Sequence, residues 1–180
     1  MQLIGMIGRK RAGKDTFFGY VQASARPRTV LRLAFADGVK AELAAACGVT
    51  AAFVEEHKEE FRLGLQWWGT DFRRRFRGDQ YWVDQVRQAV EAERLWRPAA
   101  LVVLTDVRFP NEVALVREQG GMLVRIVRPQ SETADTHPSE AMMAELPQDL
   151  TVLNDGCLAA LAETARRFVA EYVVQRATET

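Results

Sequence analysis

Leu3-Ile4-Gly5-Met6-Ile7-Gly8-Arg9-Lys10-Arg11-Ala12-Gly13-Lys14-Asp15-Thr16, at the start of the chain, decides the fold. Residues 2–7 read as a buried strand, and Gly8 to Lys14 is the pattern G-x-x-x-x-G-K. Glycine lets a backbone curl until successive N–H groups point inward, which makes a concavity for phosphate oxygens. The helix expected after the loop adds the positive end of its dipole, and Lys14 supplies a mobile ammonium for β- and γ-phosphates. A strand before the loop and a helix after it is the context such a loop requires. The plainer alternative is a glycine-containing turn with surface lysines. The strand, both glycines, Lys14 and Thr16 together favour phosphate binding. One position departs from the usual form: Asp15 stands where a Ser or Thr commonly touches Mg²⁺. Its carboxylate is expected either to approach the metal through water or to cap the helix.

The chain has 180 residues, enough for one domain with a large core. Its 24 basic and 24 acidic residues balance to zero net charge, which argues against a general nucleic-acid binder. Cys47 and Cys157 fit no metal-ligand or redox spacing and are expected as small buried hydrophobes in a reducing, cytoplasmic setting. Two His make a zinc site an unsuitable expectation. The N-terminal apolar run is too short for a signal peptide, and no run of about 20 apolar residues exists to span a membrane.

Outward from the loop, helix follows strand repeatedly. A helix is expected from Lys14 to Ala25, ahead of Pro27, and a second strand over Val30 to Phe35. Helical patterning dominates from Val39 to Arg94, broken near Gly48 and Gly78. Leu101 to Thr105 reads as a strand covered on both faces, being almost wholly apolar. Pro110 suits the first turn of a helix that ends at Gly120-Gly121. Met122 to Val127 and Leu150 to Leu153 complete five strands. A short helix is expected over Ser139 to Leu146, and a long one from Leu158 to Arg176. Alternating strands and helices imply right-handed crossovers and a parallel sheet. The expected fold is therefore α/β, a P-loop NTPase domain over residues 1–180 with a five-stranded parallel sheet flanked by helices. The helical stretch of about 39–97 is an insertion between strands 2 and 3, and about 128–140 reads as a lid.

Ligands of such sheets gather at the carboxyl ends of the strands. Asp106 stands there, where an Asp holds Mg²⁺ or its water, and Arg108 beside it has the planar fork that matches phosphate. The competing reading makes Asp106 a helix cap with an internal Asp106–Arg108 salt bridge. Gln66, Gly69, Thr70, Arg74 and Trp82 bring amide, hydroxyl, guanidinium and aromatic groups into the insertion. Trp67, Trp68 and Trp82, taken singly, are expected in the core. Arg128 opens a polar stretch suited to a closing lid, and an arginine there is expected to act on transition-state charge. Arg125 is expected to alternate along its strand and pack by its stem.

The order of Gly8…Gly13-Lys14-Asp15-Thr16, Leu65-Gln66…Gly69-Thr70-Asp71…Arg74, Asp79…Trp82-Val83, Asp106-Val107-Arg108-Phe109-Pro110-Asn111-Glu112, Asp135-x-His137-x-Ser139-Glu140 and Asn154-Asp155-Gly156 resembles the deoxynucleoside monophosphate kinases of bacteriophage type. Asp71 departs from it mildly, since relatives often carry Glu. The resemblance implies ATP and Mg²⁺ as cosubstrates and a deoxynucleoside monophosphate as acceptor. It implies Gly8, Arg11, Ala12, Gly13, Lys14, Asp15 and Thr16 on the ATP phosphates. Asn154 and Gly156 become adenine-side contacts, by similarity to the Asn-Asp-Gly turn of dephospho-coenzyme A kinases. Asp37, Lys40, Gln66, Gly69, Thr70, Arg74, Trp82 and Arg108 are assigned to the acceptor. Lys14, Arg108 and Arg128 are assigned to catalysis, and Asp15 and Asp106 to the metal. The partners implied are small molecules, with no nucleic acid and no membrane, and a homodimer is compatible. The competing functions are another small-metabolite kinase of this fold, acting on dephospho-coenzyme A or phosphomevalonate, and a non-catalytic nucleotide-dependent module. The lack of an Asn-Lys-x-Asp guanine signature weighs against a GTPase-like switch.

Overall fold

The computed structural model describes residues 1–129 and 142–174. Its centre is a five-stranded, wholly parallel sheet in the order β2-β3-β1-β4-β5. The strands are β1 (Gln2–Ile7), β2 (Val30–Leu33), β3 (Leu101–Val107), β4 (Met122–Val127) and β5 (Leu150–Leu153). β1, β3 and β4 are apolar almost throughout because both faces are covered. Alternate residues serve opposite layers. Ile4, Met6, Val103, Val124 and Ile126 pack toward α1 (Lys14–Ser24) and the C-terminal helix. Leu3, Ile7, Val102, Leu104 and Leu123 pack toward the other helices. The sheet centre admits no side chain at Gly5, where a Cβ would stand 2.9 Å from the Val116 side chain.

The insertion runs through α2 (Phe35–Cys47), α3 (Ala51–Glu56), α4 (Arg62–Gln66), a π-helical stretch (Trp67–Arg74), α5 (Arg75–Arg77) and α6 (Tyr81–Trp96). α7 (Pro110–Glu118) joins β3 to β4, and α8 (Leu158–Phe168) continues into a second π-helical stretch, Val169–Val174. A Glu42 carboxylate on α2 knits the insertion together. It accepts from Trp68 Nε1 at 2.9 Å, from Arg73 Nε and from the Tyr81 hydroxyl. Burial alone would raise that carboxyl, but these three donors and the Arg73 charge hold it below the usual range.

Several expectations are corrected. β2 ends at Leu33 and α2 begins at Phe35, earlier than the pattern suggests, because a carboxylate from β3 caps the helix there. Cys47 and Cys157 are exposed. Cys47 is the last residue of α2, past Ala44, its last buried position, and Cys157 precedes α8. Trp67 is 52% exposed, because in a π-helix residues five apart share a face and Trp67 stacks on Phe72 at 5.2 Å. The expected helix of 139–146 is described only from 142 onward, and the expected lid, beyond Arg128 and Pro129, lies outside the described residues. So does the last part of the expected C-terminal helix. Arg125 does more than pack by its stem: its guanidinium donates to the carbonyls of Met143 and Leu146 and to Gln148 Oε1. Among the described residues no helix is long and apolar enough to cross a membrane.

Candidate active site

The loop between β1 and α1 is a tight fold with little tolerance. A Cβ on Gly8 would lie 2.7 Å from the Ile126 carbonyl oxygen. Gly13 has φ 98°, and a Cβ there would lie 2.4 Å from Asn154 Nδ2. Between them Arg11 takes φ 62°, a conformation uncommon for a residue with a side chain. The loop then turns straight into α1, with Phe17 N–H donating to the Gly13 carbonyl at 2.9 Å. Lys14 folds back over it and donates to the carbonyls of Gly8 and Arg9. The loop is thus a tight cradle between strand and helix, the backbone context that the spacing predicts.

Asn154 lies at the end of β5 and is buried. Its Nδ2 donates to the Ala12 carbonyl at 2.9 Å, so it braces the cradle from the neighbouring turn. Gly156 is exposed two residues later. Neither lines the cavity described next.

Beside the cradle opens a cavity of about 470 Å³, within the size of small-ligand sites. Lys14 and Asp15 line it from the loop, Asp106 and Arg108 from the end of β3, and Gln66, Thr70 and Arg74 from the insertion. Arg11, Lys40, Gly69 and Trp82 also reach it. Elements far apart in the chain thus bring most of the expected residues to one place. Among the described residues nine Lys or Arg line the cavity against four carboxylates, a balance suited to a polyanion. Thr16, exposed on α1, and Arg128, exposed after β4, are not among the lining residues. Asp37 stands outside too, held by Arg32 at 2.8 Å and Lys40 at 2.9 Å. Burial alone would raise the Asp37 carboxyl, but those two cations hold it below its ordinary range.

Asp106 caps a helix, as the plainer of its two sequence readings expects, and also stands at the cavity. Its two oxygens accept the N–H groups of Phe35 (2.9 Å) and Ala36 (2.8 Å), so it caps α2 from another element. A carboxylate has about four lone-pair sites, and only two are used this way. It lines the cavity with Asp15. Among the described residues no group of three or more His, Cys, Asp or Glu could hold a metal ion. Mg²⁺ at a phosphate-transfer site is held by one or two carboxylates, water and substrate phosphates rather than by an all-protein cage. Asp15 and Asp106 therefore fit the metal.

Trp82 is buried, as the single-residue reading expected, and its Nε1 donates to the Gly69 carbonyl at 2.8 Å. It forms a wall of the cavity from the core side. Arg74 is also buried, and its guanidinium pairs with Glu112 at 2.6 Å and lies 4.0 Å over the Phe109 ring. Burial pushes the Glu112 carboxyl up to about 7, with the Arg74 charge pulling the other way. In the sequence Glu112 stands out only as the last residue of the Asp106–Glu112 motif, with no role of its own. Its position three residues after Phe109, at the start of a helix opened by Pro110, was a signal for a cap, but nothing local pointed to Arg74. Arg32 and Lys10 also line the cavity and were missed.

A model of the deoxynucleotide monophosphate kinases matches residues 48–165. The chain belongs to that family. It is therefore a kinase, a phosphotransferase acting on a small molecule, and its family implies use of a nucleotide. The match begins after the loop between β1 and α1. A protein of Acanthamoeba polyphaga mimivirus named "Putative deoxynucleotide monophosphate kinase" is 30% identical, over 86% of this chain and 89% of its own length. An unliganded sugar kinase from Janibacter sp. HTCC2649 shares the P-loop kinase fold, with a TM-score of 0.55, 13% identity and 96% of each chain covered. A shikimate kinase from Aquifex aeolicus aligns with a TM-score of 0.47 at 12% identity, over 94% of this chain and 99% of its own.

Proposed function

We propose that this kinase transfers the γ-phosphate of ATP to a deoxynucleoside monophosphate, giving ADP and the deoxynucleoside diphosphate. One observation carries the reading: the cradle's Lys14 and the insertion's Gln66, Thr70 and Arg74 line the same cavity, with Asp106 and Arg108 beside them. A donor phosphate on the cradle then faces an acceptor held by the insertion. Phosphoryl transfer asks a protein mainly for positioning and for charge placed around the moving group. Gly8 to Thr16 hold the ATP phosphates, and Asn154 keeps the cradle shut through Ala12. Gly156 is assigned to the adenine side. Lys14 leaves the carbonyls it now touches to meet the donor oxygens. Asp15 and Asp106 hold Mg²⁺, which when bound neutralises charge on the phosphate oxygens. Arg74 and Arg108 meet the acceptor phosphate, with Lys40 and the Gly69–Thr70 stretch beside them. Asp37 fixes Lys40. Trp82 shapes the wall. Arg128 is assigned to the transition state from the segment it introduces.

The test is ADP release, measured by a coupled assay, against the four deoxynucleoside monophosphates, the ribonucleotides, dephospho-coenzyme A and phosphomevalonate. Turnover with at least one deoxynucleoside monophosphate, above that with the other two acceptor types, is expected. Turnover only with dephospho-coenzyme A or phosphomevalonate would replace the proposed acceptor. No turnover with any of them would favour a non-catalytic module.

A further inference from the structure

We infer that Glu112 is a positioning residue, a buried carboxylate that sets Arg74 at the angle the acceptor needs and ties the helical insertion to the end of β3. The inference rests on the proposed reading in which the insertion side of the cavity takes the acceptor's phosphate.

Glu112 is 2% exposed, and both of its oxygens are used. Oε2 accepts the N–H groups of Arg108 at 2.7 Å and Phe109 at 3.2 Å, which closes the first turn of α7. That alone is an ordinary helix cap. Oε1 does something a cap does not require. It reaches across to the π-helical stretch and accepts from Arg74 at 2.6 Å. One carboxylate thus fixes both arginines assigned to the acceptor, Arg74 by its side chain and Arg108 by its backbone.

Arg74 is held on three sides. One edge donates to Glu112, another donates to the Asp79 carbonyl at 3.1 Å, and the plane lies over Phe109. Of five guanidinium N–H donors these contacts engage two, and the residue lines the cavity. A planar fork with spare donors, locked on edges and face, suits bidentate contact with a phosphate. The locking also lowers the rotamer freedom that phosphate binding would otherwise remove.

Stability alone does not explain the pair. Replacing a buried ion pair by apolar residues is often neutral or stabilising, whereas removing one partner leaves a buried charge uncompensated. The charged groups acting on Glu112 are Arg74 from the insertion and Asp106 from β3, and its backbone partners lie in the β3–α7 turn. The arrangement places opposite charges where the insertion meets the sheet, beside the proposed transfer site.

A double-mutant cycle tests this, with Glu112→Gln, Arg74→Met and both together, each assayed with acceptor and ATP varied separately. Gln keeps an oxygen for the two backbone N–H groups and removes the charge that orients Arg74. Glu112→Gln is expected to lower acceptor kcat/KM on the order of 10–100-fold, chiefly through KM, as a misplaced binding group does. The ATP KM should stay within about twofold, and in the Arg74→Met background the Gln should cost less than about twofold more. Fully additive losses, equal losses for ATP and acceptor, or a lowered melting temperature with normal acceptor kinetics would overturn the inference. If Glu112→Gln alone does not fold, the double variant, which leaves no unpaired buried charge, is compared with Arg74→Met. Equal acceptor kinetics support the inference and a further loss refutes it. If the wild type turns over another acceptor of the panel in place of a deoxynucleoside monophosphate, the functional reading falls and the cycle is judged on that acceptor. If the wild type turns over none, both fall.

Discussion

Lys14 is a half-buried cation at the mouth of the cradle, and its ammonium spans the carbonyls of Gly8 and Arg9. The loop's shape is also held by its glycines and by Asn154. Lys14→Ala is therefore expected to leave the circular dichroism spectrum unchanged while lowering kcat by about 10²–10³-fold, the usual effect of losing one preorganised charge partner. Turnover near that of the wild type would remove Lys14 from the chemistry. Asp106 carries two duties, and its variant separates them. In Asp106→Asn one oxygen still accepts from α2, but the second N–H and the helix dipole lose their anion. The melting temperature should fall by an amount corresponding to about 0.5–2 kcal/mol, the range for a lost cap. A falling kcat with a raised Mg²⁺ requirement is also expected. A stability loss with normal kcat and normal Mg²⁺ dependence would leave Asp106 as a cap only.

At the scale of elements, the sequence was most readable where one residue's environment repeats. β1, β3 and β4 carry apolar runs because helices cover both faces, and those runs are visible without the structure. The β2–α2 boundary was not visible, since the group that starts α2 is Asp106, far along the chain. The π-helical stretch was equally hidden. Its five-residue spacing differs little from a helical pattern in sequence, yet it moves Trp67 to the surface beside Phe72 and leaves Gly69 facing Trp82. The cavity residues were readable as types and as a cluster, but the Arg74–Glu112 pairing needed the fold. Gln66 closes α4 just before the π-helical stretch and lines the cavity. If the stretch reads the acceptor, Gln66→Ala should raise acceptor KM and leave ATP KM within about twofold. Because an amide both donates and accepts, the change should also reorder purine and pyrimidine acceptors. Steady-state kinetics with each deoxynucleotide decide it. A change confined to ATP KM, or to thermal stability, would move acceptor recognition elsewhere.

Among the described residues a sheet-bound cradle and a helical insertion meet over the cavity, and the buried Glu112 lies where they meet. That position links overall stability to pH. Burial raises the folded-state carboxyl to about 7, while in the unfolded chain it titrates near the ordinary value of about 4.3. Between those values the folded protein holds a proton that the unfolded chain has released. The contribution of this group therefore stabilises the fold fully at the acid end and is lost as pH rises toward 7. Asp37 and Glu42, whose carboxyls are held low, act in the opposite sense: their contributions are lost as pH falls. A wild-type melting profile mixes these effects, and a difference profile does not, because Asp37 and Glu42 are common to both proteins. Glu112→Gln removes only the Glu112 titration. Its melting temperature minus that of the wild type should therefore climb as pH rises from about 4.5 to 7 and level off above, whatever its absolute sign. The absolute sign depends on Arg74, which loses an anionic partner in the variant at every pH where Glu112 is ionised in the wild type. A flat difference across the range would show that Glu112 does not titrate there in the folded protein. A difference that falls with pH would show that the Arg74 charge outweighs burial and holds the carboxyl below its unfolded value.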